Sequence, residues 1–375
     1  MTTLWHGSRA RIAAIGVGAA GALLLAGCGA ANESTPAPAG GGSGGTATAE
    51  LSGTIAGAGA SSQQAAQEAW IAGFTGANPD ANITYDPSGS GAGRTQFLGG
   101  GVAFAGSDAA LKDDELTQAK TRCGGDVIEV PAYVSPIAVI YNVPGVTELK
   151  LAPATIAQIF DRKITNWNDP AIAADNAGAT LPDLAITPVN RSDKSGTTQN
   201  FADYLKAAAP DAWSYDVSDT WPVQGGEAAQ GTSGVVGAVQ AGQGSIGYAD
   251  ESQAKDLGQV QVKVGAAYVG PTPEAAAAVL EASTRVEGQG DNVFAYELAR
   301  DTTEAGTYPV VLVSYLMACT KYPDAATADL VKAYFTYVTS ADGQQVAADT
   351  AGAAPLSDTL RGQITPAIGT IAGGS

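Results

Sequence analysis

Between Leu51 and Thr198 the chain repeats one piece of punctuation four times, a short β-type run that ends in a small polar turn, mostly with a helical pattern after it. Leu51 to Ile55 leads into Gly57-Ala58-Gly59-Ala60-Ser61-Ser62, and a helix is expected from about Gln63 to Phe74 with Ala66, Trp70 and Phe74 on one face. Ala81 to Tyr85 leads into Ser88-Gly89-Ser90-Gly91-Ala92-Gly93 and a short helix through Phe97. Val102 to Ala105 ends at Gly106-Ser107-Asp108, where the chain turns. Ala185 to Val189 ends in Asn190-Arg191-Ser192-Asp193-Lys194-Ser195-Gly196-Thr197, before a helix whose inner face carries Phe201, Tyr204 and Leu205. Strands alternating with helices predict an α/β fold with mostly parallel pairing. Glu50 to Ser375 is too long for one core, so about two domains are expected.

These turns share a chemistry. A strand that ends in glycine and serine before a helix offers unpaired backbone N–H groups and hydroxyls at the positive end of a helix dipole. In open α/β sheets such turns gather at the carboxyl ends of the strands, where several of them can enclose an oxyanion. Each turn alone is weaker evidence. Gly57-Ala58-Gly59 lacks the third glycine of a dinucleotide fingerprint, and Lys194-Ser195 lacks the upstream glycine of a phosphate loop. Taken singly, Ser90 can be an ordinary turn residue and Asp108 a cap.

Composition removes several alternatives. Lys plus Arg number 19 against 37 Asp plus Glu, with no basic run, which argues against nucleic acid as a partner. The one histidine is His6. It lies in a segment with Arg9, Arg11 and an uncharged run from Ile12 to Leu25, the pattern of a secretory signal over residues 1–27 and too short to span a bilayer. Removing that segment takes away two arginines and no acid, so the formal net charge moves from -18 to -20 and no imidazole remains. Ser-His-Asp and Cys-His catalysis and histidine zinc sites are thereby excluded for the mature chain, and three cysteines cannot make a four-cysteine metal site. No cofactor and no metal are expected.

Leu25-Ala26-Gly27-Cys28 resembles the bacterial lipobox, whose cysteine carries lipid as the new N-terminus. Residues 28–49, rich in Gly, Ala, Pro, Ser and Thr, then read as a lipidated flexible tether with a reach of ~25 Å.

In order, the segments resemble the phosphate-binding protein of bacterial ABC phosphate importers, a type II periplasmic binding protein. The likeness runs from Leu51 to the C-terminus. It is strongest in IAQIFDRKITNWNDPAI and LPDLAITPVNRSDKSGTT between Ile156 and Thr198, with further matches at GAGASS (57–62), GSGAG (89–93), FAGSDAAL (104–111), TWPVQGG (220–226) and SIGYAD (245–250). The resemblance implies a phosphate-binding set of Ser61, Ser62, Ser90, Asp108, Arg191, Ser195, Gly196 and Thr197, with Asp193 orienting the arginine. Ser61 and Ser62 stand where the family has Thr and Phe, so Ser62 is expected to contribute its backbone amide.

The resemblance also implies two α/β lobes joined by a two-segment hinge. Lobe one is expected from 50–135 plus 308–375, and lobe two from 136–307, with Tyr133 to Tyr141 and Tyr308 to Tyr315 as β-rich crossings. Secretion and the placement of both cysteines in the discontinuous lobe then suggest a Cys123–Cys319 disulfide. The expected protein is a monomeric, non-enzymatic receptor, held at the outer face of the membrane through Cys28, that passes inorganic phosphate to a membrane-embedded ABC permease. The alternatives are a receptor for sulfate and, from another class, a secreted phosphoryl hydrolase. Asp108 separates the first pair, because a carboxylate accepts a hydrogen bond from protonated phosphate whereas sulfate has no proton to give.

Overall fold

The computed structural model describes residues 51–374; the expected signal segment, Cys28 and the tether up to residue 49 lie outside them. The first three turns sit on parallel strands. β1 (Gly53–Gly59) runs into α1 (Gln64–Ala77), β2 (Ala81–Asp86) into α2 (Ser90–Leu98), and β3 (Phe104–Ser107) into α3 (Asp113–Cys123), with β1 parallel to both β2 and β3. Helix α1 starts one residue later than its pattern suggests and buries Ala66, Gln67, Trp70 and Phe74, the i, i+4, i+8 face. β1 and β3 each begin two residues later than expected and end four and two residues later, because the small residues of the turns continue the sheet. Helix α3 carries Asp113, Asp114 and Glu115 in its first turn and Lys120 and Arg122 in its last, which complements its dipole.

β4 (Val127–Asn142) is the strand on which the architecture turns, sixteen residues long and buried throughout except for its last residue. After it come β5 (Leu149–Leu151), α4 (Pro153–Phe160), α5 (Pro170–Asp175), β6 (Thr187–Arg191), α6 (Gly196–Ala208), β7 (Glu227–Ala229), α7 (Gly231–Ala241) and β8 (Ser245–Asp250). Next are β9 (Gly258–Val264), β10 (Ala267–Val269), α8 (Pro273–Glu281), β11 (Thr284–Arg285) and β12 (Tyr296–Glu297). The return is β13 (Val311–Cys319), followed by β14 (Lys321–Tyr322), α9 (Ala325–Val338), α10 (Ala341–Ala351) and α11 (Asp358–Gly369).

The main sheet path among the described residues is β2-β1-β3-β13-β4-β8-β6-β7. Up to Pro136, β4 pairs antiparallel with β13; from Ile137 onward it pairs antiparallel with β8. One strand thus serves two half-sheets. The α/β class is as expected, but the sheet is mixed and continuous, not two separate, mostly parallel sheets. The reason is geometric: adjacent strands by which a chain leaves and re-enters a half must run in opposite senses. The return strand begins at Val311, three residues after Tyr308, whose N–H instead bonds Ala275 O at 2.9 Å and whose hydroxyl bonds Ile137 O at 3.0 Å.

The first block of the strongest stretch of sequence is structural, while its second block carries Arg191 and Ser195–Thr197. In the ITNWNDPAI block, Trp167 is fully buried with its indole N–H on Gly244 O at 3.0 Å, and Asp169 caps α5 ahead of Pro170. Nearby, Phe160, Phe201, Trp221 and Tyr248 pack ring against ring behind β6 and β8, with Phe201 stacked on Tyr248 at 4.5 Å. No helix among the described residues is long and apolar enough to cross a membrane.

Cys123, at the end of α3, and Cys319, at the end of β13, form the expected disulfide with Cα atoms 5.2 Å apart and a sequence separation of 196. It joins the outgoing and returning segments of the first half. Replacing both cysteines by serine should lower unfolding stability by about 2–5 kcal/mol in a denaturant titration; an unchanged midpoint would show the bond to be dispensable.

Two carboxyls are sealed in the sheet. Glu129 on β4 accepts from Leu111 N at 2.8 Å with Oε1, while Oε2 has no partner among the described residues, and burial pushes its pKa up to about 8. Asp250, at the end of β8, accepts from Tyr133, with Oδ2 unpartnered, and burial raises it to about 7. Stability from a raised acid is complete below the unfolded value, ~4.3 for Glu and ~3.9 for Asp. It is lost as pH climbs to about 8 for Glu129 and about 7 for Asp250. Unfolding stability should therefore decline across this window, at up to about 1.4 kcal/mol per pH unit per group. Glu129→Gln should flatten the decline, and identical pH profiles for variant and parent would count against this assignment.

Candidate anion site

Four helix starts meet where the two half-sheets face each other. Ser61 and Ser62 lie in the turn before α1, Ser90 is the first residue of α2, and Ser195 is the N-cap of α6, followed by Gly196 and Thr197. The fourth is α7, which begins at Gly231 and Thr232. Asp108 follows β3 and Arg191 ends β6. All eight residues expected from sequence are buried, and the structure brings them into one cluster.

Asp108 is the hub of that cluster. Its Oδ1 accepts from Ser62 Oγ at 2.6 Å and from Ser314 Oγ at 2.7 Å, and its Oδ2 accepts from Thr197 Oγ1 at 2.8 Å. Its N–H donates to Ser90 Oγ at 3.1 Å, and Asn200 Nδ2 donates to its main-chain oxygen at 2.7 Å. A carboxylate offers about four lone-pair sites, so this arrangement leaves one, on Oδ2. Ser62, expected to act through its amide, has a side-chain partner as well.

Arg191 is held in the plane of a second carboxylate. Its Nε donates to Asp193 Oδ1 at 2.8 Å and its Nη2 to Oδ2 at 2.5 Å, a two-pronged pair that leaves Nη1 and the outer N–H of Nη2 uncommitted to Asp193. Gly231 N also donates to Asp193, at 3.0 Å. Burial opposes the charged form of Asp193, yet the Arg191 bonds and charge and the Gly231 amide outweigh it and hold the carboxyl below its ordinary value. Asp193 thus holds the Arg191 guanidinium through both carboxylate oxygens.

The hydroxyls can be accounted for one by one. Ser195 Oγ accepts from Thr198 N at 3.1 Å and Ser90 Oγ accepts from Asp108 N, so each keeps its own proton to donate. Ser61 Oγ accepts from Thr232 N at 3.1 Å and lies 3.0 Å from Thr232 Oγ1. Thr197 is different: its hydroxyl proton points to Asp108, which leaves its backbone N–H at the open end of α6. The ensemble is a set of fixed N–H and O–H donors with one cation and one acceptor site.

Sequence reasoning missed Ser314, Thr232 and Asn200. Thr232 had a signal, since Glu227–Ala229 followed by Gly231-Thr232-Ser233-Gly234 repeats the strand, turn and helix punctuation. Ser314 had a fainter one, a lone serine in the buried run Val311–Cys319. It sits where the β13–β4 register shifts, an irregularity that aims the side chain at Asp108. Asn200 lies one turn into α6 beyond the matched motif and had none.

Comparison with known proteins bears on the family and the fold. Residues 44–342 match the family model described as a PBP superfamily domain. The chain is 36% identical over 327 residues to Phosphate-binding protein PstS2 of Mycobacterium bovis, covering 84% of this chain and 86% of the relative. It is 35% identical over 372 residues to PstS3 of the same species, covering 96% and 98%. Among solved structures, a high-affinity periplasmic phosphate-binding protein bound with phosphate superposes with a TM-score of 0.68 at 23% identity, over 84% of this chain and 93% of that one. A phosphate-binding protein from Stenotrophomonas maltophilia gives 0.64 at 19%, over 84% and 94%. At these identities the structures speak to the fold, and the curated relatives speak to the family. The chain belongs to the PstS family of phosphate-binding proteins, the substrate-binding components of ABC phosphate importers, and has the two-lobed type II fold of the PBP superfamily.

Proposed function

We propose that the protein is an extracytoplasmic receptor, lipid-anchored through Cys28, that captures inorganic phosphate between its lobes and delivers it to a membrane-embedded ABC permease. The lobes are 50–135 with 308–375, and 136–307. Their junction is supported by the change of partner along β4 between Pro136 and Ile137. The observation that carries the reading is the single acceptor left on Asp108 in a ring of donors. Phosphate at neutral pH still carries a proton, which Oδ2 accepts, while its other oxygens take the N–H and O–H donors of Ser61, Ser62, Ser90, Ser195, Gly196, Thr197 and the Arg191 guanidinium.

Sulfate in the same position offers Oδ2 no proton and sets two negative charges against each other, so phosphate is favoured over the sulfate alternative. Hydrolysis is the weakest alternative, since the mature chain has no imidazole to activate water or a hydroxyl. The protein acts as a monomeric carrier without a catalytic step.

A paired titration with phosphate and sulfate tests the roles. Asp108→Asn should narrow the gap between the two anions, because the amide can donate to an unprotonated oxygen. Arg191→Ala should weaken both, by about 2–5 kcal/mol for a desolvated charged partner. An Asp108→Asn protein that rejects sulfate as strongly as the parent would remove the proton-reading role.

Donors split between lobes also imply closure. Small-angle scattering should give a smaller radius of gyration once phosphate is added. An unchanged radius, with binding verified in the same sample, would mean that the lobes do not move.

A further inference from the structure

Arg94 and Asp219 lie outside the anion cluster, yet they touch both sides of it. Arg94 sits on α2, one turn after Ser90 and directly after the GSGAG segment; Asp219 directly precedes the TWPVQGG segment. Arg94 is 2% exposed and each nitrogen of its guanidinium is engaged. Nε donates to Glu115 Oε1 at 3.0 Å, Nη1 to Ser107 Oγ at 3.0 Å and Nη2 to Asp219 Oδ2 at 3.0 Å. The first two partners belong to the same half-sheet as Arg94, whereas Asp219 belongs to the half that carries Arg191 and Ser195.

Each end of the pair reaches an anion-binding loop through one further bond. Ser107, which accepts from Arg94, is the residue before Asp108 and donates to Ala109 O at 2.6 Å. The main-chain oxygen of Asp219 accepts from Ser195 N at 2.8 Å, so the same residue holds Arg94 with its side chain and the N-cap of α6 with its backbone. We infer that Arg94 and Asp219 form an inter-lobe latch, a pair of positioning residues that stabilises the closed state and so sets how long the anion is retained.

The physical argument is a difference between two states. In the closed molecule the two charges are desolvated and face each other, and in this surrounding they are screened little by salt. When the lobes part, Asp219 regains water, and Arg94 keeps Glu115 and Ser107. The pair therefore adds to the closed state alone. A ligand that requires closure is then held more tightly by residues it never touches, through the population of the competent state. Because neither residue contacts the anion, the latch acts on every anion that closes the protein and leaves selectivity to Asp108.

The inference rests on the phosphate-receptor reading, and the test separates the two. Parent, Asp219→Asn and Asp219→Glu proteins are compared by stopped-flow release of inorganic phosphate and by thermal melting with and without it. For Asp219→Asn, phosphate should dissociate on the order of 30-fold faster, with association altered far less, and the ratio of phosphate to arsenate affinity should stay as in the parent. The melting temperature without ligand should match the parent, and the upward shift on adding phosphate should shrink; Asp219→Glu, which keeps the charge, should recover part of the retention. Unchanged dissociation in Asp219→Asn overturns the latch while leaving the receptor intact. A ligand-free melting temperature that falls as far as the bound one assigns the pair to folding and also overturns it. A parent that does not bind phosphate overturns the function itself, and the latch with it.

Discussion

The Asp108 carboxylate is the interaction on which the arrangement depends. Its three side-chain donors, Ser62, Thr197 and Ser314, come from three separate parts of the chain: the first βα turn, the start of α6 in the opposite half, and the returning strand β13. A single buried group is thereby informed by both lobes and by the crossing between them. Buried charge is costly unless its lone pairs are satisfied, and here that requirement is met only when the halves are together. The same bonds that stabilise the charge also define it as an acceptor with one vacancy in its coordination. On the proposed reading, specificity and closure are two consequences of this one carboxylate.

A chain of formal net charge -18 does not attract an anion from a distance. The cluster itself holds one cation, Arg191, and two acids, Asp108 and Asp193, so formal charge does not explain binding either. What remains is orientation. The starts of α1, α2, α6 and α7 aim N–H groups and hydroxyls at one place, and such dipoles act at contact, whereas the field of surface acids is screened within ~8–10 Å. Asp193 spends its charge on fixing Arg191, whose fork then presents its remaining N–H groups without freedom to turn away. Rigid donors lose little entropy on binding, and an anion that must shed its water gains most from groups already in position.

How much of this was legible follows from the range of each interaction. The strand, turn and helix punctuation is local, so it placed Ser61, Ser90, Asp108 and Ser195 at element ends before any contact was known. The lone histidine and the acid excess removed whole chemical classes by inventory. The sheet direction was not local: β4 and β13 read as two β-rich runs, and only their pairing reveals that they run antiparallel and shift the sheet from one half to the other. Ser314 and Asn200 escaped for the same reason. A serine in a buried strand and an asparagine on a helix owe their roles to Asp108, which is 206 residues from one and 92 from the other in sequence.

The glycines of these turns carry a second constraint besides exposing N–H donors. Gly91 and Gly196 do not adopt positive φ, so neither is required by conformation. A Cβ at Gly196 would lie 2.7 Å from both Asp108 Cβ and Ser90 Oγ, and one at Gly91 would lie 2.5 Å from Lys194 Cβ. Both clashes are with the opposite half, across the contact where Gly91 N donates to Lys194 O at 3.1 Å. These positions are small because the lobes meet there. The turn composition that exposes N–H donors to an anion is thus also what lets the two loops approach closely enough to share Asp108. Any side chain there would hold the loops apart while leaving each lobe folded. The glycine and serine pattern therefore encodes the closed state as much as the anion chemistry, and the two cannot be separated by changing composition at those positions.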